Sequence, residues 1–93
     1  MNAQLNELLA RARKEGEVFL CSLSGRQLRN RGFGALWEPE EEFWKSIKYV
    51  NIYLLYDGQK FLLKYEFNGD AGDVCYDYYD PHSPVEMQWL EDA

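Results

Sequence analysis

Ninety-three residues make one domain, and a chain this short removes only roughly 60–65% of its unfolded surface from water, so its core must be dense. Its composition, 46% hydrophobic and 16% aromatic, supplies that core and excludes an intrinsically disordered chain. No run approaches the length of a membrane span, and the N-terminus carries Glu7 inside an amphipathic repeat, unlike a charged-then-apolar secretory signal, so the expectation is a cytoplasmic protein with no membrane partner.

Leu5, Leu8, Leu9 and Ala12 recur at the spacing of a helix with one buried face, which predicts an α-helix over about residues 3–15. Glu7 and Arg11 are spaced as an i,i+4 pair, Arg13-Lys14 suit the negative end of the dipole, and Gly16 is a natural stop. Glu17 to Leu23 reads as a short buried strand. From Ser24 to Trp37, Gly25, Gly32 and Gly34 interrupt an arginine-rich stretch with no clean period, read here as a long irregular loop. Glu38-Pro39-Glu40-Glu41-Glu42 then opens a short helix, because proline is tolerated in the first turn and carboxylates favour the positive end of the dipole. Phe43 and Ile47 would face the core with Trp44 beside them.

The clearest element is a hairpin. Val50 to Tyr56 runs into Asp57-Gly58, and Gln59 to Phe67 runs out. A two-residue type I′ turn there would place Leu54 opposite Phe61, Ile52 opposite Leu63 and Val50 opposite Tyr65, forming one apolar face. The other face would pair Leu55 with Lys60, Tyr53 with Leu62, Asn51 with Lys64 and Tyr49 with Glu66. After Asn68-Gly69-Asp70-Ala71-Gly72 a third strand is predicted from Asp73 to Tyr79. Turning Val74, Tyr76 and Tyr78 inward would keep Asp77 out of the core, together with Cys75 and Tyr79. Ser83-Pro84-Val85-Glu86 is a capping box that starts a last helix. The predicted fold is α+β, in the order α-β-α-β-β-β-α, with helices packed on a mainly antiparallel sheet of three to four strands.

Cys21 and Cys75 fit two buried reduced thiols, or else a disulfide between neighbouring strands. His82 is the only histidine, so acid–base or nucleophilic chemistry would need it; a Cys75–His82 pair lacks the glycine elbow or helix N-terminus that presents a thiolate. Asp77, Asp80 and His82 can be drawn as a metal set. Asn68, Asp70 and Asp73 echo a calcium loop, but its sixth position is Asp73 where glycine is needed, and no glutamate sits at the twelfth. The expectation is no catalytic residue, no cofactor and no metal.

Surfaces therefore carry the functional reading. Residues 1–35 hold six basic groups against three acids, net +3, and residues 36–93 hold four against thirteen, net −9. Glu38, Glu40, Glu41, Glu42, Asp70, Asp73, Asp77, Tyr79 and Asp80, with Tyr49 and Tyr53 on the outer sheet face, form an acidic–aromatic set suited to a basic protein partner, nucleic-acid-binding proteins among them. This predicts a small inhibitor acting by occlusion, as an immunity protein or a phage anti-defence (anti-CRISPR) protein does. The alternative is a nucleic-acid-binding or adaptor module using the Arg26, Arg29, Arg31 and Phe33 loop, against which the sequence pI of about 4.7 argues. Against it also stands the simpler reading of a solvated loop whose arginines pair with the chain's own Glu38 to Glu42.

Overall fold

The stripe of the first helix and the alternation after Val50 decide the architecture: both bury one side only, and they bury it against each other. The structure, a computed structural model, describes residues 3–33 and 40–82. Its elements are α1 (Ala3–Glu15), β1 (Glu17–Leu23), α2 (Gly25–Asn30), α3 (Glu41–Ser46), β2 (Val50–Tyr56), β3 (Phe61–Phe67) and β4 (Val74–Tyr79). The strands form one antiparallel sheet in the order β1-β2-β3-β4. This is the expected α+β domain. The last predicted helix, from Ser83, lies outside the described residues.

Leu5, Leu9 and Ala12 of α1 are buried with Leu28, Ile47 and one face of the sheet. That face carries Val18, Leu23, Val50, Ile52, Leu54, Phe61, Leu63, Tyr65, Phe67 and Tyr79, all buried. α1 ends at Gly16, whose φ of 86° lets its N–H return to the Ala12 carbonyl at 2.8 Å. The expected Glu7–Arg11 pair does not form; Arg11 reaches Glu15 at 3.7 Å instead. In β1 the register shifts between Phe19 and Cys21. The extra residue, Leu20, keeps Val18 and Leu23 on the core face.

The predicted long loop is in part a helix. Ser24 Oγ accepts from the Gln27 N–H at 3.1 Å and Gln27 Oε1 accepts from the Ser24 N–H at 2.9 Å, so Ser24-Gly25-Arg26-Gln27 is a capping box opening α2. A side chain on Gly25 would meet the Ile47 carbonyl at 3.0 Å, so its lack of one permits the close approach of α2 to the end of α3. In α3, Ile47 is buried as expected while Phe43 and Trp44 are half-buried. Phe33 completes this corner, with its ring centroid 4.9 Å from Tyr65 and 6.0 Å from Phe67.

The hairpin differs from expectation in its register. Leu54 lies opposite Leu63, Ile52 opposite Tyr65 and Val50 opposite Phe67, a slip of two residues. The loop spans residues 57–60: the Asp57 N–H donates to the Lys60 carbonyl at 3.2 Å, and the Asp57 carboxylate accepts from the Gln59 and Lys60 N–H groups at 2.9 Å each. A type I′ turn needs φ > 0 at both central residues, and here only Gly58, at 97°, has it. Because side chains alternate with period two, the slip leaves every residue on its predicted face.

Those backbone donors, from Lys60 first and then Gln59, hold the Asp57 carboxyl below the ordinary aspartate range. A carboxyl whose folded pKa is depressed stabilises the fold above its unfolded value, and loses that contribution as pH falls through the folded value. Asp57→Asn should therefore lower the urea midpoint at neutral pH, and the gap to the parent protein should close on acidification. A gap that stays constant into acid would show that the carboxylate charge is not what holds the loop.

The third predicted strand is inverted. Phe61 pairs with Tyr79, Leu63 with Asp77 and Tyr65 with Cys75, which puts Tyr79, Asp77 and Cys75 on the core face. Tyr79 is 0% exposed, whereas Tyr76 and Tyr78 face outward at 54% and 60%. Asp77 nonetheless stays in solvent, because α1 packs over β1 and β2 rather than over the β4 edge. The desolvation rule that assigned the faces has no force there. Cys21 is half-buried and Cys75 exposed, so the thiols are not both buried. They sit on opposite edge strands, three strand spacings or about 14 Å apart, too far for a disulfide, and both are free. Among the described residues no helix is long and apolar enough to cross a membrane.

Candidate functional site

With the core confined to one face, the other face of the sheet is built from three cross-strand rows. Glu17, Leu55, Leu62 and Tyr78 form the first, Phe19, Tyr53, Lys64 and Tyr76 the second, and Ser22, Asn51, Glu66 and Val74 the third. Phe19 is 52% exposed, comparable to Tyr76 and Tyr78. It meets Tyr53 edge to face at a centroid distance of 5.5 Å. Lys64 Nζ lies 4.7 Å from the Tyr53 ring centre and bonds Glu17 Oε1 at 2.8 Å. Asn51 donates to Glu66 at 3.2 Å.

Lys64 is thus paired with Glu17, while Glu66 accepts from the uncharged Asn51 and leaves the face with one net negative charge. The hydrogen bond that Lys64 donates to Glu17 raises the Lys64 pKa, and desolvation followed by the Glu66 charge raises that of Tyr53, so both keep their protons. What remains directed at solvent is aromatic surface. Phe19, Tyr76 and Tyr78 are all more than half exposed on this one sheet face.

The predicted site residues do not converge on one patch. Glu40, Glu41 and Glu42 open α3, where Arg29 binds Glu41 at 2.8 Å and lies over the Trp44 ring at 5.4 Å. That bond lowers the Glu41 pKa, with the Arg29 charge second among the causes. Glu38 lies outside the described residues. Asp70 and Asp73 belong to the β3–β4 turn, where Asp70 accepts from the Gly72 N–H at 2.8 Å and the Asp73 N–H donates to the Asp70 carbonyl at 2.9 Å. Asn68, with φ of 55°, ties this turn to the start of β2 by accepting from the Lys48 N–H at 2.7 Å and donating to the Ser46 carbonyl at 3.0 Å. Tyr49, 41% exposed, lays its hydroxyl where a side chain on Gly69 would sit.

Asp73, Asp77 and Asp80 are instead strung along β4. Tyr79 is a correction: it is a core residue and offers nothing to a partner. In the alternative loop, Arg26 is exposed, Arg29 is held by Glu41, Arg31 is half-buried, and Phe33 packs among Trp44, Tyr65 and Phe67. Its ring cannot stack on a base without leaving the core. Sequence reasoning missed Phe19, Tyr76 and Tyr78 as surface residues. The β3 pattern offered the signal, since any antiparallel neighbour placing Tyr79 opposite the buried Phe61 must turn Tyr78 outward.

Among the described residues no three His, Cys, Asp or Glu side chains are grouped to hold a metal ion. Asp80 accepts from the His82 N–H at 2.9 Å, which makes it a turn residue. Partial desolvation on the strand and then the Asp73 and Asp77 charges push the Cys75 thiol up, the reverse of what an activated thiolate needs. Compared with known proteins, the chain matches no family model, no curated sequence and no solved structure at a significant level.

Proposed function

We propose that this chain is a small acidic protein-binding inhibitor, rather than an enzyme, and that it acts by covering a basic surface of its target. The observation that carries the reading is the outer sheet face, where Phe19, Tyr76 and Tyr78 stand exposed around Tyr53 and Lys64. Rings held on a sheet are ordered before they dock, so little freedom is lost on binding, and aromatics dominate interface energetics. A net charge of −6 adds long-range attraction for a positively charged partner. A nucleic-acid-binding protein presents such a surface. Occluding it is the work of an immunity protein or a phage anti-defence inhibitor such as an anti-CRISPR, and a domain of this size and charge suits that role.

Immobilised protein should retain a basic protein from a host extract, and the purified target should lose activity on stoichiometric addition. The Phe19→Ser, Tyr76→Ser, Tyr78→Ser triple variant, shown to be folded by circular dichroism, should fail to retain it. Nuclease treatment should change nothing. A target held equally by both proteins, or retained nucleic acid that an Arg26→Glu variant releases, would overturn the reading.

A further inference from the structure

The two edges of the sheet are not alike. The bulge at Leu20 interrupts the β1 edge, and bulges of this kind blunt an edge against further pairing. β4 runs in unbroken register from Val74 opposite Glu66 to Tyr79 opposite Phe61, with no proline, glycine or lysine. Among the described residues no strand lies on its other side. Antiparallel partners alternate between hydrogen-bonded and non-bonded pairs. The Phe67 N–H donates to the Asp73 carbonyl at 3.0 Å, which makes Asp73, Cys75, Asp77 and Tyr79 the residues bonded to β3. The backbone N–H and C=O groups of Val74, Tyr76 and Tyr78 therefore point out of the sheet. They form a template for a further strand along β4, whose six residues extend about 20 Å.

We propose that the β4 edge accepts an extended basic segment of the target by strand addition. Charge identifies the occupant. β4 and its flanks carry Asp73, Asp77 and Asp80 and no basic residue, so a second copy would set carboxylates against carboxylates. A strand bearing Lys or Arg meets them favourably. The faces refine the motif: Asp73 and Asp77 lie on one side of the sheet and Tyr76 and Tyr78 on the other. The incoming segment thus alternates basic residues toward the aspartates with apolar residues beside the tyrosines, which continues the aromatic row of the outer face. This rests on the reading of a basic protein target and names the segment that target offers.

The test pans the full chain against a display library of random ten-residue peptides. Recovered peptides should alternate Lys or Arg with apolar residues, and should slow amide exchange at Val74, Tyr76 and Tyr78 in labelled protein. Tyr76→Pro removes only an outward N–H and leaves the β3 ladder intact, so it should weaken binding by about tenfold or more. Should that variant not fold, Asp73→Lys with Asp77→Lys should switch the selected peptides from basic to acidic. Selection of acidic peptides by the parent protein defeats both the edge and the occlusion reading. Basic peptides, or a captured target, that engage Phe19 and Tyr53 while the three edge amides exchange freely overturn the edge alone.

Discussion

Tyr79→Ala should lower the free energy of unfolding by about 3–5 kcal/mol, whereas Tyr78→Ala should change it by less than about 1 kcal/mol. The residues are neighbours in one strand, but Tyr79 is 0% exposed against the buried Phe61 and Tyr78 is 60% exposed. Truncating the buried ring removes apolar contact and leaves a cavity at the end of the core. Truncating the exposed one removes surface that water already reaches. A domain of this size has only about 5–15 kcal/mol in total, so the first variant sits near its unfolding threshold. Urea titration gives the comparison directly, provided the slope is unchanged and the midpoint alone moves. Equal losses, or the larger loss at Tyr78, would mean that β4 faces the other way.

Reversing Asp73 and Asp77 to lysine should slow association with the captured target by about tenfold at ~10 mM ionic strength. The effect should shrink as the Debye length falls from about 30 Å to about 8 Å near 0.15 M. Both residues are exposed on the β4 side, and neither side chain bonds the sheet ladder. Arg26→Glu, on the exposed surface of α2, should leave the rate unchanged or raise it, because it removes repulsion from a basic partner. Dissociation should respond far more to Tyr76→Ala than to either charge change, since contacts within the interface govern residence time. Stopped-flow measurements over a salt series separate these effects. An Arg26→Glu variant that loses binding while the lysine variant gains it would assign the interface to α2.

How much of this was legible in the sequence follows from which forces act at each place. α1 and the buried face of the hairpin are readable because one-sided burial imposes a period, and Leu5, Leu9, Val50, Ile52 and Leu54 obey it, whereas β1, read as a buried strand, exposes Phe19 and has its alternation broken by the Leu20 bulge. The hairpin register was misread because Asp57 uses its side chain, rather than a positive φ, to close the loop. Only the even size of the slip preserved the faces. α2 leaves no hydrophobic period to read, since it is six residues long and buries only Gly25 and Leu28, and its one local signature is the Ser24–Gln27 capping pair. β4 was inverted because burial was assumed to act equally on both its faces, yet at a sheet edge the helical layer stops and Asp77 remains wet. That inversion moved the candidate site: Tyr76 and Tyr78 joined the outer face and Tyr79 left the surface.

The central claim is that the outer face and its β4 border receive a basic protein. Cross-saturation in a complex of the isotope-labelled chain with the captured target tests it most directly. The expected result is transfer to Phe19, Tyr53, Tyr76 and Tyr78, with α2 and the exposed side of α1 silent. Transfer centred on Arg26 and Arg29, with the four outer-face aromatics unaffected, would contradict it.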